Sequence, residues 1–144
     1  GPATVIEVNY DPYIRNVVDG SSLSERSVEF AEHWLPWKDT VPTYESGKHR
    51  IRMRVVEYPR WSLTTSVLEH MLELRLRTAV LREGLAFTSR ISPDDDGPYV
   101  MLGTEAPVFD RVHVPMITLW RNLESIPARS DGWYETQFLA VELD

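Results

Sequence analysis

Cysteine is absent from the 144 residues. That excludes disulfides, thiolate nucleophiles and cysteine-ligated zinc. Lysine is scarce: Lys38 and Lys48 stand against 13 arginines. Such a bias reflects either a GC-rich genome or a need for planar, bidentate donors, and the genomic explanation is favoured. Positive charge is in deficit, with 15 Lys and Arg against 22 Asp and Glu and a net charge of −7. Duplex-DNA binders are ordinarily basic, so duplex DNA is not an expected partner. No window approaches ~18 uncharged apolar residues, so no membrane-spanning helix is expected. No basic start leads into an apolar stretch, so no signal peptide is expected and a cytoplasmic location is. Gly1-Pro2 has the form of a protease-cleavage scar. The seven glycines all fall at expected turns or caps. There is no Walker A loop, no G-x-G-x-x-G and no G-x-S-x-G elbow, which leaves phosphate-cradling loops and the usual serine-hydrolase turn unsupported.

What is present suits a folded domain. Apolar residues make up 42% and charged residues 26%, which is ordinary globular usage. Five Trp, six Tyr and four Phe supply surface to bury, which excludes disorder. One domain spanning residues 1–144 is expected. Thr4 to Tyr10 alternates and predicts a strand, closed by a turn at Asp11-Pro12. Ser22 and Glu25 have capping-box spacing and predict a helix over 23–35, stopped by Pro36. Residues 36–48 read as a loop with an edge segment at Thr43-Tyr44.

His49 to Val55 is the clearest strand, with Ile51, Met53 and Val55 on one face and Arg50, Arg52 and Arg54 on the other. Ser62 or Thr64 caps a long helix to about Glu83, with Gly84 as its C′ residue. Nine apolar residues from Leu63 to Leu81 cover more than half its circumference, which makes it a central buried element with Leu72 in the core. Glu73 and Arg77 would pair across one turn.

Leu85–Ile91 and Tyr99–Gly103 read as strands joined by a loop over 92–98, and Val108–Val114 as another. Pro115 sits at a good first position for a helix carrying Met116, Leu119, Trp120 and Leu123. Trp133 to Leu143 reads as a final strand. The order β-α-β-α-β-β-(β)-α-β predicts a single α+β domain, a largely antiparallel sheet with about three helices packed on one side.

Few residues announce chemistry. None of His33, His49, His70 and His113 lies four residues from another. Glu29 to His33 and Ser66 to His70 each carry only the second half of an H-x-x-E-H box, so no metal and no cofactor is expected. Asp94-Asp95-Asp96-Gly97 lacks the alternating ligand spacing of an EF-hand and reads as a hairpin tip. Arg50, Arg52 and Arg54, flanked by Lys48, His49 and Arg60, form the strongest charge feature. Guanidinium groups roughly 6–7 Å apart along one face suit a phosphodiester chain or an acidic peptide. The alternative is a solvated face paired to neighbouring acids. Arg75 and Arg82 fall inside the apolar arc of the long helix, where they must snorkel, pair or line a cavity. Arg82 is the first choice for an internal anion. Trp34, Trp37, Tyr44, Tyr58 and Trp61 surround 36–61 as a binding groove or a small core.

Leu68 to Phe87, with Leu81-Arg82-Glu83-Gly84-Leu85-Ala86-Phe87 at its end and Asp96-Gly97-Pro98-Tyr99-Val100 following, resembles a half-domain of the pitrilysin/insulinase-type (M16) metallopeptidases. The resemblance spans residues 68–100, under a third of the chain. It implies a long helix running into a strand, and a non-catalytic half in which Arg82 holds substrate peptide. Phe87 stands where the family has tyrosine.

The leading functional expectation is a non-catalytic protein- or peptide-binding accessory domain, either an M16-like partner of a catalytic subunit or a phage or regulatory interaction protein. Its binding residues would be Arg50, Arg52, Arg54, Arg82, Trp37, Tyr44 and Trp61, with a protein or peptide as partner and a homo-oligomer left open. The alternatives are a single-stranded nucleic-acid or phosphate binder using the arginine stripe, and a small hydrolase using His70 or His113 as general base.

Overall fold

The computed structural model describes residues 2–11, 37–90, 97–108, 110–118, 122–128 and 132–143. Its strands are β1 (Thr4–Asn9), β2 (Lys38–Asp39), β3 (Lys48–Tyr58), β4 (Leu76–Thr78), β5 (Tyr99–Val100), β6 (Thr104–Val108), β7 (Arg111–Ile117), β8 (Leu123–Pro127) and β9 (Thr136–Glu142). Two helices are described, α1 (Thr64–Glu73) and α2 (Leu81–Thr88). The expected strands at 4–10 and 49–55 form as β1 and β3, with β3 continuing to Tyr58.

The strands join one sheet in the order β1-β3-β9-β5-β7-β6-β2, with β4 also on β9 and β8 also on β7. β9 pairs antiparallel with β3 and β4 and parallel with β5. Its Phe138-Leu139-Ala140-Val141 run is buried throughout, as a strand covered on both faces requires. Leu139 and Val141 join Ile6, Val8, Ile51, Met53 and the α2 residues Leu81, Leu85 and Phe87. Phe138 and Ala140 join Leu76, Val100, Val114 and the α1 residues Val67 and Met71. Alternate residues of a strand point to opposite faces, so α1 and α2 cover opposite faces of the sheet.

This overturns the expected architecture. The sheet is mixed, strand dominates, and the two described helices do not share a side. The long helix over 63–83 is replaced by α1, β4 and the start of α2. Its break lies at Arg75, which takes a left-handed φ of 58°. Leu74-Arg75-Leu76-Arg77 alternates with period two, a strand signal inside a stretch that also fits an apolar wheel. Leu72, expected in the core, is 62% exposed. Arg77 stands on β4 and does not pair with Glu73.

Leu85–Thr88 belongs to α2 rather than to a strand, and Gly84 lies inside that helix rather than after it. An ideal Cβ on Gly84 would lie 1.8 Å from Met101 Sδ, so a side chain there would have to displace that buried thioether. Pro115 lies within β7, not at a helix start, and its carbonyl accepts from the Met101 amide at 3.1 Å. The β-branched Val112, Val114 and Ile117 hold that stretch extended. β7 pairs antiparallel with β8, and the Thr118 amide donates to the Asn122 carbonyl at 2.9 Å. The final strand begins at Thr136, and Trp133 is instead bridged to Ser62. The expected helix over 23–35 and the aspartates 94–96 lie outside the described residues. No described helix is long and apolar enough to cross a membrane.

Candidate functional site

A pocket of about 370 Å³ opens beside β3 where its ladder to β9 ends. The ladder between β3 and β9 starts at Met53↔Val141, and the residues before Met53 pair only with β1. Arg50 and Arg52 therefore stand beside a gap, and both line the pocket with Arg77, Glu142, Tyr44 and Leu143. Arg52 Nε donates to Glu142 Oε2 at 2.8 Å, with the side chains 61% and 31% exposed. Arg50 lies opposite Glu7 in the β1–β3 register. Tyr44 stacks flat on His49 with ring centres 3.8 Å apart. The His49 Nε2–H donates to the Ser46 carbonyl at 2.8 Å, which fixes the ring.

Behind the pocket lies a polar centre at the start of α2. Arg77 makes a two-pronged pair with Glu83, Nη1 to Oε1 at 2.8 Å and Nη2 to Oε2 at 2.7 Å. Glu83 has no solvent contact. It also accepts from the Tyr10 hydroxyl at 2.6 Å and the Val80 amide at 3.0 Å. Glu83 sits in the first turn of α2, where a carboxylate favours the helix dipole and occupies an otherwise unpaired amide. The next amide, Leu81, donates to Thr104 Oγ1 at 2.8 Å, and that hydroxyl donates to Asp39 Oδ1 at 2.7 Å.

Burial, then the Glu83 charge, pushes the Tyr10 phenol far above its usual range. Burial raises the Asp39 carboxyl, partly offset by the hydrogen bond from Thr104. Burial alone would lower Arg77, but the hydrogen bond and charge of Glu83 more than offset it, so its net shift is upward.

The structure thus brings together Arg50, Arg52 and Tyr44 and separates the other candidates. Arg54 lies further along the same face, half-buried and outside the pocket lining. Arg82 lies on α2 and donates from Nη1 to the Asn9 carbonyl at 2.8 Å. Trp37 packs half-buried against the α2-side core. Trp61 is 53% exposed and lies against Gly132. Trp34 lies outside the described residues. The sequence does not mark Arg77 and Glu142 as lining residues: the apolar wheel over 63–83 places Arg77 on a helix, and nothing local to Glu142 singles it out.

The two candidate bases make local contacts. His70 Nδ1 lies 2.6 Å from the Tyr58 hydroxyl, and His113 Nδ1 lies 3.0 Å from Ser125 Oγ. Among the described residues neither ring pairs with a carboxylate that would orient it, as a nucleophile–base pair requires. Among the described residues, no three His, Asp or Glu side chains gather as a metal site. Comparisons with family models, with curated proteins and with solved structures find no match.

Proposed function

We propose that the chain is a non-catalytic domain that binds a polypeptide partner through the pocket beside β3, acting in the cytoplasm as an accessory or regulatory protein. The observation that carries this reading is the pocket lining: two exposed guanidinium groups, Arg50 and Arg52, beside the apolar surface of Pro42, Tyr44 and Leu143. Planar guanidinium groups recognise carboxylates through paired hydrogen bonds, and an adjoining apolar wall gives a side chain a place to pack. No histidine, serine or cysteine lines the pocket. The M16 resemblance contributes nothing here. Leu81–Phe87 forms α2, and Arg82 lies outside the pocket lining.

The test is a titration of the full chain with a fluorescently labelled peptide of alternating Glu and Leu, with labelled oligothymidylate alongside. The peptide is expected to bind, and Arg50→Gln with Arg52→Gln to weaken it at least about tenfold, since hydrogen bonds to charged groups contribute about 1.5–3 kcal/mol. His70→Ala with His113→Ala is expected to leave binding unchanged. Oligothymidylate bound in place of the peptide, with steep salt dependence, would replace this reading with the single-strand one, which the same arginines favour.

A further inference from the structure

We infer that the pocket takes a single carboxylate, and that Glu142 occupies its place in the free protein until a partner's carboxylate displaces it. This rests on the polypeptide-binding reading. Arg77 offers little to a ligand, because two of its nitrogens are taken by Glu83. Arg50 forms no ion pair among the described residues, Glu7 included. Arg52 reaches Glu142 through Nε alone, which leaves its two terminal nitrogens without a hydrogen-bond partner among the described residues.

The pocket and the carboxylate behind it therefore hold Arg50, Arg52 and Arg77 against Glu142 and Glu83, one positive charge in excess. One carboxylate balances that excess, because Glu142, held by the β9 backbone, still lines the pocket after it releases Arg52. A phosphate monoester carries about −1.5 to −2 at neutral pH and would leave the site negative, in a chain already at −7.

Glu142 is itself a carboxylate seated on Arg52. The Arg52 side chain is 61% exposed and that of Glu142 31%, and a solvent-facing pair held through one nitrogen is weak, so the seat is easily exchanged. A carboxylate placed between Arg50 and Arg52, roughly 6–7 Å apart along β3, engages both, whereas Glu142 engages one. Its source is an acidic side chain or a chain terminus, next to an apolar side chain that packs on Tyr44 and Leu143.

The experiment is calorimetric titration of the full chain with five probes. These are a capped peptide with one Glu beside Leu, its Gln version with a free C-terminus, its fully capped Gln version, 3-phenylpropionate and inorganic phosphate. The wild type is expected to bind carboxylates more tightly than phosphate and to ignore the capped Gln peptide. Glu142→Gln and Glu142→Ser are each expected to bind carboxylates about two- to fivefold tighter, the range an exposed ion pair spans. Both variants should also lose part of the preference over phosphate. Arg50→Gln should weaken carboxylate binding at least about tenfold. Melting temperatures within a few degrees of wild type show that the variants are folded.

Whichever peptide binds identifies the source of the carboxylate, and tighter binding of it by the Glu142 variants supports the exchange. Phosphate preferred by the wild type overturns the inference, as do Glu142 variants that bind carboxylates no more tightly. Peptide binding indifferent to Glu142 overturns this inference and leaves the polypeptide reading standing. Binding of 3-phenylpropionate that depends on Glu142, without peptide binding, sinks the polypeptide reading and leaves the exchange standing.

Discussion

Glu83 is the side chain on which most of the interior polar structure converges. Four hydrogen bonds end on its two oxygens, from Arg77 twice, Tyr10 and Val80. Replacing one member of a buried ion pair leaves the other charge uncompensated, typically at a cost of about 3–5 kcal/mol. Glu83→Gln is expected to lose that much in urea titration. The Arg77→Met/Glu83→Leu double variant should lose less than the sum of its singles, because it removes both charges together.

Tyr10 supplies a pH dependence. Its phenol is raised in the folded chain, first by burial, whereas the unfolded phenol releases its proton near pH 10. The folded state holds the proton that the unfolded state gives up. The stabilisation is complete below about pH 10 and falls above it, by about 1.4 kcal/mol per pH unit for one group. Tyr58, raised by burial, acts in the same direction. Tyr10→Phe should flatten the alkaline decline, as read by chemical denaturation between pH 9 and about 11.5.

At the scale of the element, α1 and α2 differ in how they are held. α1 buries Val67 and Met71 and exposes Leu68 and Leu72. Leu72→Ala should therefore cost no more than about 0.5 kcal/mol, as surface changes do. α2 is buried nearly all round, and Gly84 meets Met101. Gly84→Ala gains about 1 kcal/mol of helix propensity, yet must displace a buried thioether, which costs about 1–3 kcal/mol. A net loss in thermal melting is expected.

These elements also show what could be read from the chain. β1 and β3 were legible because period-two alternation is local and one face of each is apolar. The same alternation at Leu74 to Arg77 was masked by flanking leucines that also satisfy a helical wheel. α2 hides because helix and strand can both be apolar throughout when buried on every side. In the site, Arg50, Arg52 and Tyr44 were legible from neighbouring positions. Arg77 and Glu142 reach the pocket only through the pairings of β4 and β9, which one-dimensional spacing does not carry.

In the whole molecule, the two apolar layers share β9. Leu139 and Val141 belong to one, Phe138 and Ala140 to the other. Neither layer can open without losing β9, so a single cooperative transition is expected. Tryptophan fluorescence and far-ultraviolet circular dichroism should give coincident urea curves; separated midpoints would show that the faces melt independently.

The same strand sets the order of events as the chain comes together. Met53 waits for Val141, and Tyr99 for Gln137, before the sheet can close. Contacts so distant along the chain are entropically expensive to form first, and domains dominated by them fold in about milliseconds to seconds rather than microseconds. Until β9 emerges from a ribosome, β3 lacks the partner it will have along its second half. A nascent chain therefore carries an open, hydrophobic strand edge from the synthesis of β3 until that of β9, the interval in which a chaperone or a premature partner would find it.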